Sequence, residues 1–294
     1  MSLWLPAIGQ VTGTTRQRLV LRVHDDTSIS PLTSSGFIAN DPRFEGRASR
    51  REWDLTQRQF VGGGLRDRPN LIRSIPVHIT SGWASRQYDP FVSFVPDNET
   101  PPSSWISSTG SFEWAIWEIA RRLTKFPDRD EVSLSVIRTA RHYPPGYRAP
   151  RGYAIWAEPA MWHYIERKLW DSSDEDYPTV IRATRFAKAS QELLWYGRIF
   201  ASDVIQTSTW TRWETPIDLP EEFLIPPKHR PRAGRRWIDW LVFDPEEEGA
   251  GEAMEKISAR RLQLDKSRGL HERGGEQSAG PIVSVSSSDT ESSY

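Results

Sequence analysis

The run Glu192-Leu193-Leu194-Trp195-Tyr196-Gly197 places a carboxylate at the mouth of an otherwise apolar strand that ends on glycine. A strand this rich in leucine and aromatic residues has to be buried on at least one face, so the chain must wrap a sheet around it. The carboxylate is carried in with it, at high cost unless it finds a donor or shifts its pKa. Glu192 is therefore the first position at which to look for chemistry. Near the other end of the chain, Leu19-Val20-Leu21-Arg22-Val23-His24-Asp25 repeats the pattern with the opposite charge. Arg22 and Glu192 are natural partners. Strand alternation projects His24 to the same side as Arg22, within reach of a ligand bound there.

Elsewhere the pattern alternates between strand and helix. Residues 16–23 and 131–137 read as strands, the latter with Val132, Leu134 and Val136 on one face. Gly36 to Ala39, Pro90 to Val95, Trp105 to Gly110 and Tyr153 to Ala157 read as shorter extended pieces. The clearest helix begins after Ser111, a suitable cap, with Phe112, Ala115, Ile116, Ile119, Ala120 and Leu123 at helical spacing and Arg121, Arg122 and Lys125 near its C-terminus. Met161–Leu169 and Thr179–Ser190 read as further helices, the second delivering Glu192 to its strand. Asp41 to Asn70 is charged and contains Gly62-Gly63-Gly64, which reads as a long surface excursion or lid.

These elements predict an α+β domain over 16–210, built on two antiparallel sheets around a central cleft with flanking helices. An accessory arm and helix follow over 211–268. The arm is broken by Pro220, Pro226, Pro227 and Pro231 and is locally basic, with Trp237, Trp240, Leu241 and Phe243 available to dock it on the core. The Ser- and Gly-rich stretch 269–294 predicts a disordered tail.

Charge and cysteine content narrow the function classes. A formal net charge of -1 gives no overall pull toward nucleic acid or an anionic membrane, and neither is an expected partner. The absence of cysteine excludes disulfides, thiolate metal sites and cysteine nucleophiles. The six histidines show no ligand spacing with carboxylates, so no metal site is expected. No Gly-x-Gly-x-x-Gly, Walker or Gly-x-Ser-x-Gly pattern occurs. Without a basic, apolar leader or a long apolar run, the expectation is an intracellular protein, cytoplasmic or nuclear.

Three short motifs, in order, resemble the arginine–serine–glutamate class of ADP-ribosyltransferases, the group with the cholera-toxin type of catalytic subunit. Leu21-Arg22-Val23-His24-Asp25 resembles the first strand of that class. Trp105-Ile106-Ser107-Ser108-Thr109 followed by Ser111-Phe112 resembles its Ser-Thr-Ser strand and helix, and Gln191-Glu192 with Gly197-Arg198-Ile199 resembles its glutamate strand. The span 16–206 is also similar to an uncharacterised domain of fungal proteins that opens with Arg-Val-His-Asp and carries a Pro-Phe-(Ile/Val)-Ser strand, a likeness that implies no activity.

The resemblance implies NAD as substrate and either mono-ADP-ribosyl transfer to an unknown protein acceptor or NAD hydrolysis. Glu192 would be catalytic, Arg22 would anchor the dinucleotide with His24 beside it, and a serine would orient the glutamate. Two serines fit that last role: Ser107 aligns with the toxin-type motif and Ser93 with the fungal Pro-Phe-Val-Ser strand. The class usually carries Glu or Gln two residues before the catalytic glutamate, and this chain has Ser190 there. That departure leaves a second class of function open, a catalytically inactive interaction module on the same scaffold. In the tail, Ile282, Val283 and Val285 ahead of Ser286-Ser287-Ser288-Asp289-Thr290-Glu291 resemble a SUMO-interacting motif, a short strand suited to a receptor's sheet edge.

Overall fold

The computed structural model describes residues 19–41, 44, 69–83, 103–139, 153–166, 170, 173–229 and 236–273. Nine strands lie among them: β1 (Leu19–His24), β2 (Leu32–Thr33), β3 (Gly36–Ile38), β4 (Trp105–Thr109), β5 (Glu131–Arg138), β6 (Tyr153–Trp156), β7 (Glu192–Tyr196), β8 (Arg198–Phe200) and β9 (Val204–Thr211). The five α-helices are α1 (Pro69–Trp83), α2 (Phe112–Lys125), α3 (Ala157–Glu166), α4 (Tyr177–Ser190) and α5 (Ala250–Arg273). The strands form two sheets, one in the order β6-β7-β4-β1-β5-β9 and one in the order β2-β3-β8. Every pairing is antiparallel, giving a mixed α+β architecture.

The chain crosses between the sheets at Gly197. Its φ of 74° is one that glycine adopts without strain, and it turns β7 of the large sheet into β8 of the small one. The Gly197 amide donates to the Ser104 carbonyl at 2.7 Å, and the Gly197 carbonyl accepts from Ala39 at 2.8 Å, so the corner is fixed from both sheets. Gly36 does similar work on the facing strand. Its φ is +103°, and a Cβ there would lie 2.0 Å from the Ile199 carbonyl oxygen and 2.6 Å from the Ala201 nitrogen. Both contacts are backbone, so no rotamer change relieves them. Gly36→Ala is expected to destabilise the fold by about 2–3 kcal/mol, read from the denaturant midpoint.

Two apolar clusters hold the layers together. On one, α2 sets Ala115, Ile116, Ile119 and Leu123 against Leu21, Val23, Val132, Leu134 and Trp210 of the large sheet. Val136 packs at its margin as the strand pattern expects, and Ile137, the next residue and so on the opposite face, joins the other cluster. That second cluster joins Ile75 and Ile79 of α1, Met161 of α3 and Val180, Ala183 and Ala187 of α4 to β4, β7 and Phe37.

Some elements differ from the sequence reading. The segment 211–268 packs as part of the first cluster: Phe223, Trp237, Ile238, Leu241, Phe243, Ala253 and Ile257 are all buried with α2. Pro220 caps the 3-10 turn that delivers Phe223, and Arg236 caps the one that delivers Trp237 and Ile238. Helix α5 runs to Arg273, past the expected start of the tail at 269, because a charged helix resting on few apolar residues gives no sequence signal for its end. Residues 274–294, with Ile282, Val283 and Val285, lie outside the described residues, as do most of the 41–70 excursion and the Pro90–Val95 strand with Ser93. Helix α1 is obscured in the sequence, because Pro76 stands inside it and β-branched residues surround the proline. Burial of Ile75 and Ile79, one turn apart, offsets the hydrogen bond that the proline forfeits.

Candidate functional site

Helix α4 ends on Gln191, which takes a left-handed conformation at φ 47° and donates its amide to Ala187 and Lys188. The next residue opens β7. This abrupt change sets Glu192 at the end of an antiparallel pair in which it faces Thr109 of β4. Ser107 lies two residues back along β4, on the same face by strand alternation and within diagonal cross-strand reach. The Ser107 hydroxyl donates to Glu192 Oε1 at 2.5 Å. Glu192 is only 1% exposed, and it stands at the negative end of α4, so this charge-assisted bond answers a real electrostatic cost.

Arg22 reaches the same serine from the other side. Its Nη1 donates to the Ser107 carbonyl at 2.5 Å and its Nη2 to the Ser30 carbonyl at 3.0 Å. The guanidinium carbon lies 4.9 Å from the centre of the Phe37 ring, contributed by β3 of the small sheet. Burial, with the Arg122 charge adding to it and Asp25 opposing it, pushes the Arg22 guanidinium down to about 9. The guanidinium and the carboxylate thus converge on Ser107 from opposite ends of the chain.

Ser30 is held by the turn after β1. Asp25 accepts from Thr27 and Ser28 and forms ion pairs with Arg122 at 2.9 Å and Arg129 at 3.0 Å. Arg122 also grips Glu118 at 2.6 Å, and Arg121 grips it at 2.8 Å. The arginines expected only to complement the end of α2 are therefore the cations of a buried network. Asp25, a simple candidate to pair with Arg22, is committed to that network instead.

The other hydroxyls of β4 brace the strand pair. Ser108 donates to the Leu193 carbonyl at 3.0 Å and accepts the Trp195 indole N–H at 2.9 Å. Thr109 donates to the Ser190 carbonyl. Ser190 is buried, its hydroxyl turned back to Phe186 at 2.9 Å, so the position two residues before Glu192 serves the helix end.

His24 shares Phe37 with Arg22, on the same face of β1 as strand alternation expects. Its Nε2 pairs with Ser135 at 2.9 Å, Ser135 pairs with Thr207 at 2.8 Å, and the ring stands edge-on to Phe37 at 5.0 Å. The residue that the sequence reading missed is His78. From α1 its Nε2 lies 2.9 Å from Ser107 Oγ, while its Nδ1 lies 2.7 Å from Ser103 Oγ. Trp105 donates to Ser74 at 2.9 Å and anchors the helix that carries it. The available signal was the helical spacing of Ile72, Ile75 and Ile79 around the histidine, which Pro76 obscured.

Burial and the Arg22 charge push His78 down to about 3. Burial, then Arg22 and Arg122 against the opposing Asp25, pushes His24 down to about 4. Both rings are neutral in the fold near pH 5, whereas an unfolded histidine titrates near ~6.5. Between those limits the unfolded chain binds protons that the folded one refuses, so stability is lost as pH falls. The slope reaches at most about 2.7 kcal/mol per pH unit for two such groups. Asp25 and Glu118, both held below the usual carboxylate range by arginines, contribute below this window. Urea midpoints should therefore be lower at pH 5 than at pH 7, and a flat profile would refute this.

Among the described residues no three histidine, cysteine or acidic side chains are grouped to hold a metal ion, and no helix is long and apolar enough to cross a membrane. No protein-family model matches the chain, and no curated protein matches it. Among solved structures, EcPltA is 13% identical over 67% of this chain and 78% of its own, with a TM-score of 0.32. That likeness is too partial to assign a fold family.

Proposed function

We propose that this chain cleaves the nicotinamide–ribose bond of NAD and passes the ADP-ribosyl group to a protein acceptor or to water. The observation that supports this reading is the seat of Glu192: a carboxylate held through the Ser107 hydroxyl, on a serine whose backbone is gripped by Arg22. When the bond breaks, its electron pair leaves with the ring and neutralises the pyridinium, and positive charge gathers on the ribose. A fixed carboxylate beside that ribose stabilises the developing cation, and the incoming nucleophile then adds to the same carbon and loses its proton. Ser107 orients Glu192. Arg22, with two donors on carbonyl groups, fits a positioning role for β4 and the 25–30 turn better than an open dinucleotide anchor.

The burial of Glu192 favours one competing reading, a non-catalytic interaction module on the same scaffold. Incubation with NAD, with and without cell lysate as acceptor, separates them. Nicotinamide release that disappears in Glu192→Gln supports the enzyme; no Glu192-dependent release under either condition assigns the module.

A further inference from the structure

We propose that Ser103 is a positioning residue that holds the His78 ring in its Nε2–H tautomer and thereby commits the Ser107 hydroxyl proton to Glu192. This rests on Glu192 being the catalytic carboxylate and supplies the group that keeps it oriented. The Ser107 hydroxyl has one proton and two close partners, Glu192 Oε1 at 2.5 Å and His78 Nε2 at 2.9 Å. A carboxylate at the shorter distance takes the proton. Toward His78 the hydroxyl therefore offers a lone pair, and Nε2 must carry hydrogen. A neutral imidazole has a single N–H, so Nδ1 is a bare acceptor that needs a donor. Ser103 Oγ, 2.7 Å away, supplies it.

Ser103 is itself fixed. Its amide donates to the Asn40 carbonyl at 3.0 Å, and its hydroxyl oxygen accepts the Trp105 amide at 3.2 Å. With that amide on one side of the oxygen, the hydroxyl proton turns to the ring. The bonds then run in one direction from Ser103 through His78 and Ser107 to Glu192. Without the Ser103 donor the Nδ1–H tautomer loses its disadvantage. In that form Nε2 becomes an acceptor and competes with Glu192 for the Ser107 proton, and the carboxylate loses its fixed orientation for part of the time.

The test uses the full chain with isotope-labelled histidine. Two-bond proton–nitrogen correlations distinguish the Nε2–H, Nδ1–H and charged rings, and the His78 signals are those lost in His78→Gln. The expected result is an Nε2–H ring in the parent, a mixture in Ser103→Ala, and a retained Nε2–H ring in Ser103→Thr. Ser103→Cys, similar in size but a weak donor, should shift the ring as alanine does and serves if the alanine variant does not fold. The kcat for nicotinamide release should fall about tenfold in Ser103→Ala with KM little changed, and recover in Ser103→Thr. An Nδ1–H or charged ring in the parent, or an unaltered ring in a folded Ser103→Ala or Ser103→Cys, overturns the proposal. A shifted ring with unchanged kcat overturns its link to Glu192. The ring signals require no activity, so a chain that releases no nicotinamide defeats the NAD reading while the Ser103–His78 bond is still judged by its own readout.

Discussion

Glu192→Gln is expected to lower Glu192-dependent nicotinamide release by about a thousandfold while leaving the protein as stable as its parent. Glutamine keeps the shape of the side chain and an oxygen that can accept from Ser107, so the strand pair loses no packing. It also removes a charge from a residue that is almost wholly enclosed. Burying that charge costs the fold stability, and an interaction made in the transition state gives a reason to keep it. Activity and denaturant midpoint should therefore separate. A variant that keeps its activity would remove Glu192 from the chemistry. One that loses both activity and several degrees of melting temperature would make the carboxylate a structural charge.

Arg122→Ala is expected to cost about 3 kcal/mol in unfolding free energy. Arg122 joins two carboxylates, Asp25 and Glu118, whose side chains are each 1% exposed. Removing the cation weakens the pairing of both, leaving Asp25 with Arg129 and its two hydroxyl donors and Glu118 with the two hydrogen bonds of Arg121. Lysine is a poor substitute, because one ammonium cannot fork between partners on a strand end and a helix. The surface pair of Arg261 with Glu113 makes the control: at 44% exposure of the arginine, Arg261→Ala should cost less than about 1 kcal/mol. The effect also reaches the site. Asp25 anchors the turn that offers the Ser30 carbonyl to Arg22, so folded Arg122→Ala should lose nicotinamide release as well. Equal midpoints for Arg122→Ala and Arg261→Ala would refute the network's weight.

Helix α2, strands β1 and β5 and the run into β7 were legible from the chain because each repeats a local period over several residues. Arg22 and Glu192 were legible for a related reason, since a charge inside an apolar strand stands out against its neighbours; Ser107 was reached only through the family resemblance, as one of two serines with Ser93. The involvement of His78 was not legible, because its helix contains a proline and is stabilised by burial of Ile75 and Ile79 in a cluster assembled from distant segments. The docking of the arm after 211 was legible in part, through Trp237, Leu241 and Phe243, but which face of the core receives them, beside α2, was not.

What the sequence determined by itself is therefore the set of elements and the few polar groups that apolar strands would have to carry inside, since both follow from residues adjacent in the chain. What only the tertiary structure decided is which of those groups meet. Ser107 receives Arg22, Glu192 and His78 through strand register, a helix end and a third element that share no sequence neighbourhood. Asp25 and Arg122 meet across 97 residues. Such meetings depend on packing between distant segments, and local periodicity carries no record of it.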